Sequence, residues 1–444
     1  MKKRIDRREF IKSTAGGAIA AGIALQHQSA SARILGANDR IIIGFVGTGR
    51  QGEGNLKGFL KHNDVQVAAL CDVYSTNLDK AAALVPAAER YTDFRRLLDR
   101  KELDAVVVST PDHWHALQTI IGCQAGKDVY VEKPISLTIE EGKRMVQAAR
   151  KYDRIVQVGT QQRSGHHFKK VVELVRSGRI GKVSFVRTWN YGNQHPAGIG
   201  NPPDGNPPSG LDWDMWLGPA PKVPFNANRF GVFPDRWSSF RWFWDYAGGM
   251  VTDWSVHLLD IVQWAMGADY PQSVSATGGK LLLGDNRETP DTIAVTFEYP
   301  GFICTYENRE CNGAQINGKS YGITFHGTEG TIFVDRAGFE LMPEKRREAP
   351  NRLVDRTEPM KGESTNNQSD AHIRNFLDSV KSRQKPICDI EIGHRTTTTA
   401  LLANIAYRSR RRIIWDGKRE EIIGDRDAAK QMSKPYRKPW VLKV

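Results

Sequence analysis

The chain has 444 residues, 40% hydrophobic and 25% charged, with 63 Lys and Arg against 50 Asp and Glu for a formal net charge of +13. That length predicts two domains, the balance excludes a disordered chain, and five widely spaced cysteines with no CxxC pair exclude a disulfide framework or a cysteine-based metal centre. The basic residues are scattered apart from Lys345-Arg346-Arg347 and Arg410-Arg411-Arg412, with no interleaved aromatics, so they read as a solvated face and no nucleic-acid partner is expected.

Residues 1–32 read as an export signal to be left out of the fold. Arg7-Arg8-Glu9-Phe10-Ile11-Lys12 leads into a short Gly/Ala-rich run over 13–25, and Ala30-Ser31-Ala32 supplies a small-residue cleavage site. The paired arginines look like a twin-arginine signal, which implies a periplasmic or extracytoplasmic destination. The run is too short to span a bilayer, and no other stretch is long and apolar enough, so no membrane span is expected.

Residues 36–160 are expected to form a dinucleotide-binding Rossmann domain. Ile41-Ile42-Ile43-Gly44-Phe45-Val46 reads as a buried parallel strand entering a helix through Gly47-Thr48-Gly49-Arg50-Gln51-Gly52. In this pattern Gly47 permits the tight turn, Gly49 lets the backbone approach a pyrophosphate, Gly52 allows helix packing, and the helix N-terminus donates to the phosphates. A second strand over 65–70 ends at Asp72, which would accept from a ribose hydroxyl and repel a 2'-phosphate, favouring NAD over NADP. Helices over 76–84 and 94–99, a strand over 105–109, a helix over 115–125, a strand over 128–132, a helix over 139–152 and a strand over 155–159 follow. This alternation predicts a doubly wound parallel sheet. Thr110-Pro111 with His115, and Glu132-Lys133-Pro134, stand at strand ends, where such sheets place their ligands.

Residues 161–444 change in texture. A strand over 183–191 precedes a Gly/Pro-rich stretch over 196–224, long enough to suggest a functional loop or a subunit contact. A helix over 253–266 is followed by strands over 273–282, 292–299, 303–308, 321–326 and 331–334, then helices over 371–382 and 393–411. That order predicts an α+β domain with a mostly antiparallel sheet. Asp253 and His257, four apart on one expected helix, would share a face. His257 can then act as base toward a hydroxyl, Asp253 can orient it or stabilise its cationic form, and Lys133 can polarise the developing carbonyl or share the proton. The flanking segment is rich in aromatics (Trp237, Phe240, Trp242, Phe243, Trp244, Tyr246, Trp254), which suit sugar faces as well as a core. Arg163, Tyr191, His195 and Trp244 are candidate substrate residues. His195, Asp245, Asp253 and His257 have no metal-ligand spacing, and no metal is expected.

In order, Gly47 to Gly52, Thr110-Pro111 with His115, Glu132-Lys133-Pro134 and Asp253-Trp254-Ser255-Val256-His257 resemble the glucose-fructose oxidoreductase / inositol dehydrogenase / rhizopine catabolism (Gfo/Idh/MocA) family. The resemblance spans about residues 39–415. It implies an NAD(P)-dependent oxidoreductase of a sugar, sugar derivative or cyclitol, an open-faced second-domain sheet, and a homo-oligomer, dimeric or tetrameric. Catalytic roles fall on Lys133, Asp253 and His257. Cofactor contacts fall on Gly47, Thr48, Gly49, Arg50, Gln51, Gly52, Asp72, Thr110, Pro111, His115, Glu132 and Lys133. Two departures stand out: Asp112 replaces a common Asn, and the 196–224 stretch has no counterpart in small members. An exported enzyme would meet little free cofactor and is expected to hold NAD tightly. The alternative is a redox-neutral NAD-dependent glycoside hydrolase or lyase acting through a transient keto-sugar.

Overall fold

The computed structural model describes residues 40–232 and 238–444, so residues 1–32, expected to be an export signal, and Trp237 lie outside the described residues. Six strands form one parallel sheet in the order β3-β2-β1-β4-β5-β6: β1 Ile41–Val46, β2 Val65–Cys71, β3 Glu89–Tyr91, β4 Ala105–Val108, β5 Asp128–Val131 and β6 Val156–Val158. The four residues of β4 are buried on both faces, as a strand flanked by helices must be. Helices α1 (Arg50–Phe59), α2 (Ser75–Leu84), α3 (Phe94–Leu98), α4 (Asp112–Gln124) and α5 (Ile139–Lys151) make the crossovers. The last begins with a capping box, Thr138 and Glu141 each bonding the other's backbone N–H. Helix α4 starts three residues earlier than expected, at Asp112 directly after Pro111, because proline suits the entry to a helix.

The second sheet has ten strands and is mostly antiparallel. Its centre is β7 (Val183–Tyr191), which pairs in parallel with Phe302–Arg309 and antiparallel with Tyr321–Gly327. Helices α6 (His166–Arg176), α9 (Ser255–Met266) and α11 (Ile390–Ser409) cover one face, and Val186, Cys304, Tyr306, Ile323 and Phe325 project into the shared core. Alternation turns Ile303, Met342 and Ile414 the other way, and they are exposed. Helix α10 (Gln368–Ser382) returns to the first sheet, where Ile373, Phe376 and Leu377 pack with Phe59 and Tyr130.

The helix expected over 253–266 is broken. It is two helices, α8 (Gly249–Asp253) and α9, meeting at Trp254. The cause is a side chain in the hydrogen-bond ladder: the Asp253 carbonyl accepts from Lys133 Nζ at 2.8 Å, and the His257 N–H bonds the Trp254 carbonyl instead, at 3.1 Å.

The long stretch over 196–224 is ordered against the first domain. Ser75 N donates to Gly210 O, and Asp212 N donates to Val73 O. Its short helix α7 (Trp213–Leu217) is gripped through Trp216 O, which accepts from Trp114 Nε1 at 2.9 Å and lies 3.0 Å from His113 Nε2. The C-terminal tail closes over the same place. Arg437 bonds Asp214 and the Gly218 carbonyl, Tyr436 bonds Glu141, and Trp440 packs edge-on to Trp114 at 4.8 Å.

Candidate active site

An open cleft runs along the C-terminal edge of the parallel sheet. Gly47, Gly49, Arg50, Gln51, Asp72, Thr110, Pro111, His115, Glu132 and Lys133 line it from the first domain, Met215, Trp216 and Phe230 from the inserted segment, and Arg241 and Asp253 from below. Thr48 and Gly52 shape the cleft from behind. Gly47 has φ +83°, and a Cβ on Gly52 would stand 2.0 Å from the Gly47 carbonyl, so that residue must be glycine for α1 to meet the turn. Helix α1 has no side-chain cap, which leaves the N–H groups of its first turn for a phosphate. Asp72 accepts from Thr48 N at 2.7 Å and Tyr74 N at 2.9 Å, which fixes its carboxylate at the end of β2. Burial raises its pKa, and these donors oppose the rise. Uncapped donors, a close-packed glycine turn and a fixed carboxylate together fit a dinucleotide.

Some expected cofactor residues turn out to hold one another. Glu132 Oε1 accepts Gln51 Nε2 at 3.0 Å and Asn55 Nδ2 at 2.9 Å, tying β5 to α1. Thr110 Oγ1 donates to Gln118. The His115 ring sits between Thr110 O and Pro134 O, each 2.7 Å away, and so sets the spacing of the two loops that carry Pro111 and Lys133. Burial brings its pKa down to about 4, against the pull of the two carbonyls.

Lys133 joins the domains. Its Nζ donates to Asp253 O at 2.8 Å and to Asp253 Oδ1 at 2.7 Å. Asp253 Oδ2 also pairs with Arg241 Nε at 3.2 Å. Burial alone would raise the Asp253 carboxyl, but the Arg241 and Lys133 charges win and hold it well below the usual carboxylate range. Asp253 is therefore bound to two cations and makes no hydrogen bond to His257 among the described residues, which corrects the expectation of an Asp-oriented histidine. His257 is buried and its Nδ1 has no partner. Burial, then Lys133 and Arg336, push its pKa well below the ordinary value, against the pull of Asp253, so its ring is neutral. Arg241 and Asp112 were not among the candidates. Asp112 lines the cleft beside this pair, and burial followed by the Asp253 charge pushes its carboxyl up to about 7.

The four candidate substrate residues scatter. Arg163 is buried in an ion pair with Asp260, Nε to Oδ2 at 2.7 Å, and its guanidinium lies over Trp264, away from the cleft. Trp244 lies under Arg408 in a separate hollow. His195 is exposed on a loop. Tyr191 donates to Glu307 and lies beneath Arg309, on the sheet face. Asp245 is paired with Lys434. Among the described residues no group of three or more His, Cys, Asp or Glu is placed to hold a metal ion, and no helix is long and apolar enough to cross a membrane.

Residues 41–160 match the family described as oxidoreductase family, NAD-binding Rossmann fold (GFO_IDH_MocA), and residues 165–352 and 355–442 match its C-terminal alpha/beta domain. A glycosyl hydrolase family 109 protein of Shewanella putrefaciens is 30% identical over 205 residues, 40% of this chain and 44% of that protein. A 1-carboxy-3-chloro-3,4-dihydroxycyclo hexa-1,5-diene dehydrogenase of Comamonas testosteroni is 34% identical over 149 residues, 34% of this chain and 38% of that protein. The chain thus spans less than half the length of these curated relatives. In fold it resembles the WlbA dehydrogenase from Bordetella pertussis in complex with NADH and UDP-GlcNAcA (TM-score 0.63, 21% identity, 85% of this chain, 99% of that one). It also resembles scyllo-inositol dehydrogenase from Lactobacillus casei with bound NAD(H) and scyllo-inositol (TM-score 0.61, 20% identity, 85% of this chain, 99% of that one).

Proposed function

The chain belongs to the Gfo/Idh/MocA oxidoreductase family, and we propose that it transfers hydride between NAD and a secondary alcohol or ketone of a sugar, sugar derivative or cyclitol. The observation that carries this reading is the Lys133–Asp253 pair, which sets an ammonium group where the cofactor cleft meets the second domain. NAD supplies the hydride acceptor or donor. Lys133, fixed by the carbonyl and the carboxylate of one residue, is placed to stabilise negative charge on the reacting oxygen. His257, buried with its Nδ1 unpartnered, is the candidate proton acceptor, although burial and the Lys133 charge leave it a weak base. Asp112, poised near neutrality, can hold a second proton at the cleft wall. Asp72 favours NAD over NADP through its charge at the ribose end.

Replacing Lys133 by Met tests the assignment. Cofactor binding and folding should survive, and turnover should fall by about 10²-fold or more. Wild-type turnover in that variant would make Lys133 a structural residue only.

A redox-neutral glycosidase is the second reading, favoured by the relative named for glycosyl hydrolase family 109. The two readings separate with one sugar and no second acceptor: a dehydrogenase stops after a single turnover with its cofactor reduced, and a glycosidase continues and releases an aglycone. The Arg7-Arg8 segment, outside the described residues, extends the proposal to an exported enzyme that keeps its cofactor bound. The exposed Ile303, Met342 and Ile414 on the sheet suit a homo-oligomer joined across that face.

A further inference from the structure

Arg336 follows the strand Gly330–Val334, and its guanidinium lies over the Trp254 ring, 5.1 Å from the centroid. Trp254 is the residue at which the α8–α9 helix breaks, and its ring is 6.2 Å from that of His257. The Arg336 charge reaches the reacting groups, since it helps to depress His257 and is itself drawn on by Asp253. Its Nε is buried without a hydrogen-bond partner.

The carboxylates at hand are already taken. Asp335, next in sequence, pairs with Lys319 Nζ at 2.9 Å and accepts the N–H groups of Ala337 and Gly338. Asp253 is held by Lys133 and Arg241. Tyr321 OH meets only the Arg336 backbone N–H, at 3.4 Å. Among the described residues Arg336 has no ion pair, yet it is half-buried with its Nε shut off from water, an unfavourable state for a planar donor built to grip an oxyanion in two places. The surrounding charges do not offset it, because two cations already share one Asp253 carboxylate.

We infer that Arg336 determines specificity by receiving a carboxylate of the substrate, so that the preferred substrate is an acidic sugar of the uronic acid class; this rests on the sugar reading above. The stacked Trp254 face orients the guanidinium, and Lys133 and His257 address the reacting carbon while Arg336 anchors the acid.

The test uses the full chain loaded with NAD, with D-glucuronate, D-galacturonate, D-glucose and D-galactose as probes in calorimetric titrations. The wild type should bind at least one uronate roughly tenfold or more tighter than the matching neutral sugar. Arg336→Met should abolish that preference, and Arg336→Lys should restore part of it. Thermal melting of both variants checks that they fold. Equal binding of acidic and neutral sugars by the wild type, failure to bind either uronate, or an undiminished preference in Arg336→Met would each overturn the inference. Reduction of the bound cofactor by a neutral sugar alone would overturn it while leaving the oxidoreductase reading standing. Tight uronate binding with no hydride transfer from any sugar to the bound NAD would do the reverse.

Discussion

Asp253 meets Lys133 on one oxygen and Arg241 on the other, and the neighbouring Asp112 is left in a buried place beside an ionised carboxylate. The two acids are therefore driven apart, one downward and the other up to about 7. The sign of the stability effect follows. A carboxyl raised from 3.8 to about 7 in the folded state costs nothing at low pH, because it is protonated whether folded or not. The penalty builds as pH rises from about 4 to about 7 and is constant above that. Asp112→Asn should thus gain in melting temperature over the wild type across that window, by several degrees in cofactor-free protein, and an offset independent of pH would refute the placement. Lys133 was legible in the sequence because a buried strand and a proline enclose it. Arg241 and Arg336 were not, and Asp112 stood out only as a departure from a common Asn, because their importance comes from partners far along the chain that no local spacing reveals. Arg163 misled for the same reason: its partner is Asp260, and nothing near residue 163 announces it.

At the scale of elements, the strands of the first sheet followed their apolar runs closely, since residues buried on both faces leave a continuous signal. The edge strand Glu89–Tyr91 has no such run and was not expected. Helix α6 was also missed, although Phe168, Val171, Val172 and Val175 recur at helical spacing and are buried. The break at Trp254 could not be read locally, since the Lys133 ammonium that displaces the His257 N–H comes from the other domain. The same logic applies to the tail. Arg437 binds Asp214 and the Gly218 carbonyl at the two ends of α7, whose Met215 and Trp216 roof the cleft. Its bond to the Gly218 carbonyl is part-buried, and water screens its pair with the exposed Asp214 carboxylate. Arg437→Ala should therefore speed NAD release by about tenfold or more, measured by stopped-flow displacement of the bound cofactor. An unchanged release rate would mean that α7 holds its place without the tail.

For the whole molecule, the first sheet supplies the phosphate turn and Lys133, and the second domain supplies Asp253, Arg241 and His257. Trp216 and Phe230 line the same cleft. A cleft lined from both domains suits a protein that keeps its cofactor, and the purified protein should release close to one equivalent of nicotinamide dinucleotide on denaturation, identified by mass spectrometry. Protein that purifies empty and binds NAD only weakly would contradict retention. If the sheet face joins copies of the chain, Ile303→Asp with Ile414→Asp should shift the sedimentation coefficient to that of a monomer, and an unchanged coefficient would place any interface elsewhere. The central claim, hydride transfer at the Lys133–Asp253 junction, is tested most directly by mixing NAD-loaded protein with a panel of acidic and neutral sugars and cyclitols and recording the near-ultraviolet absorbance of reduced nicotinamide. The account predicts reduction of the bound cofactor by at least one of them in the wild type and about 10²-fold slower reduction in Lys133→Met at equal cofactor occupancy. Reduction at the same rate in both proteins would contradict it.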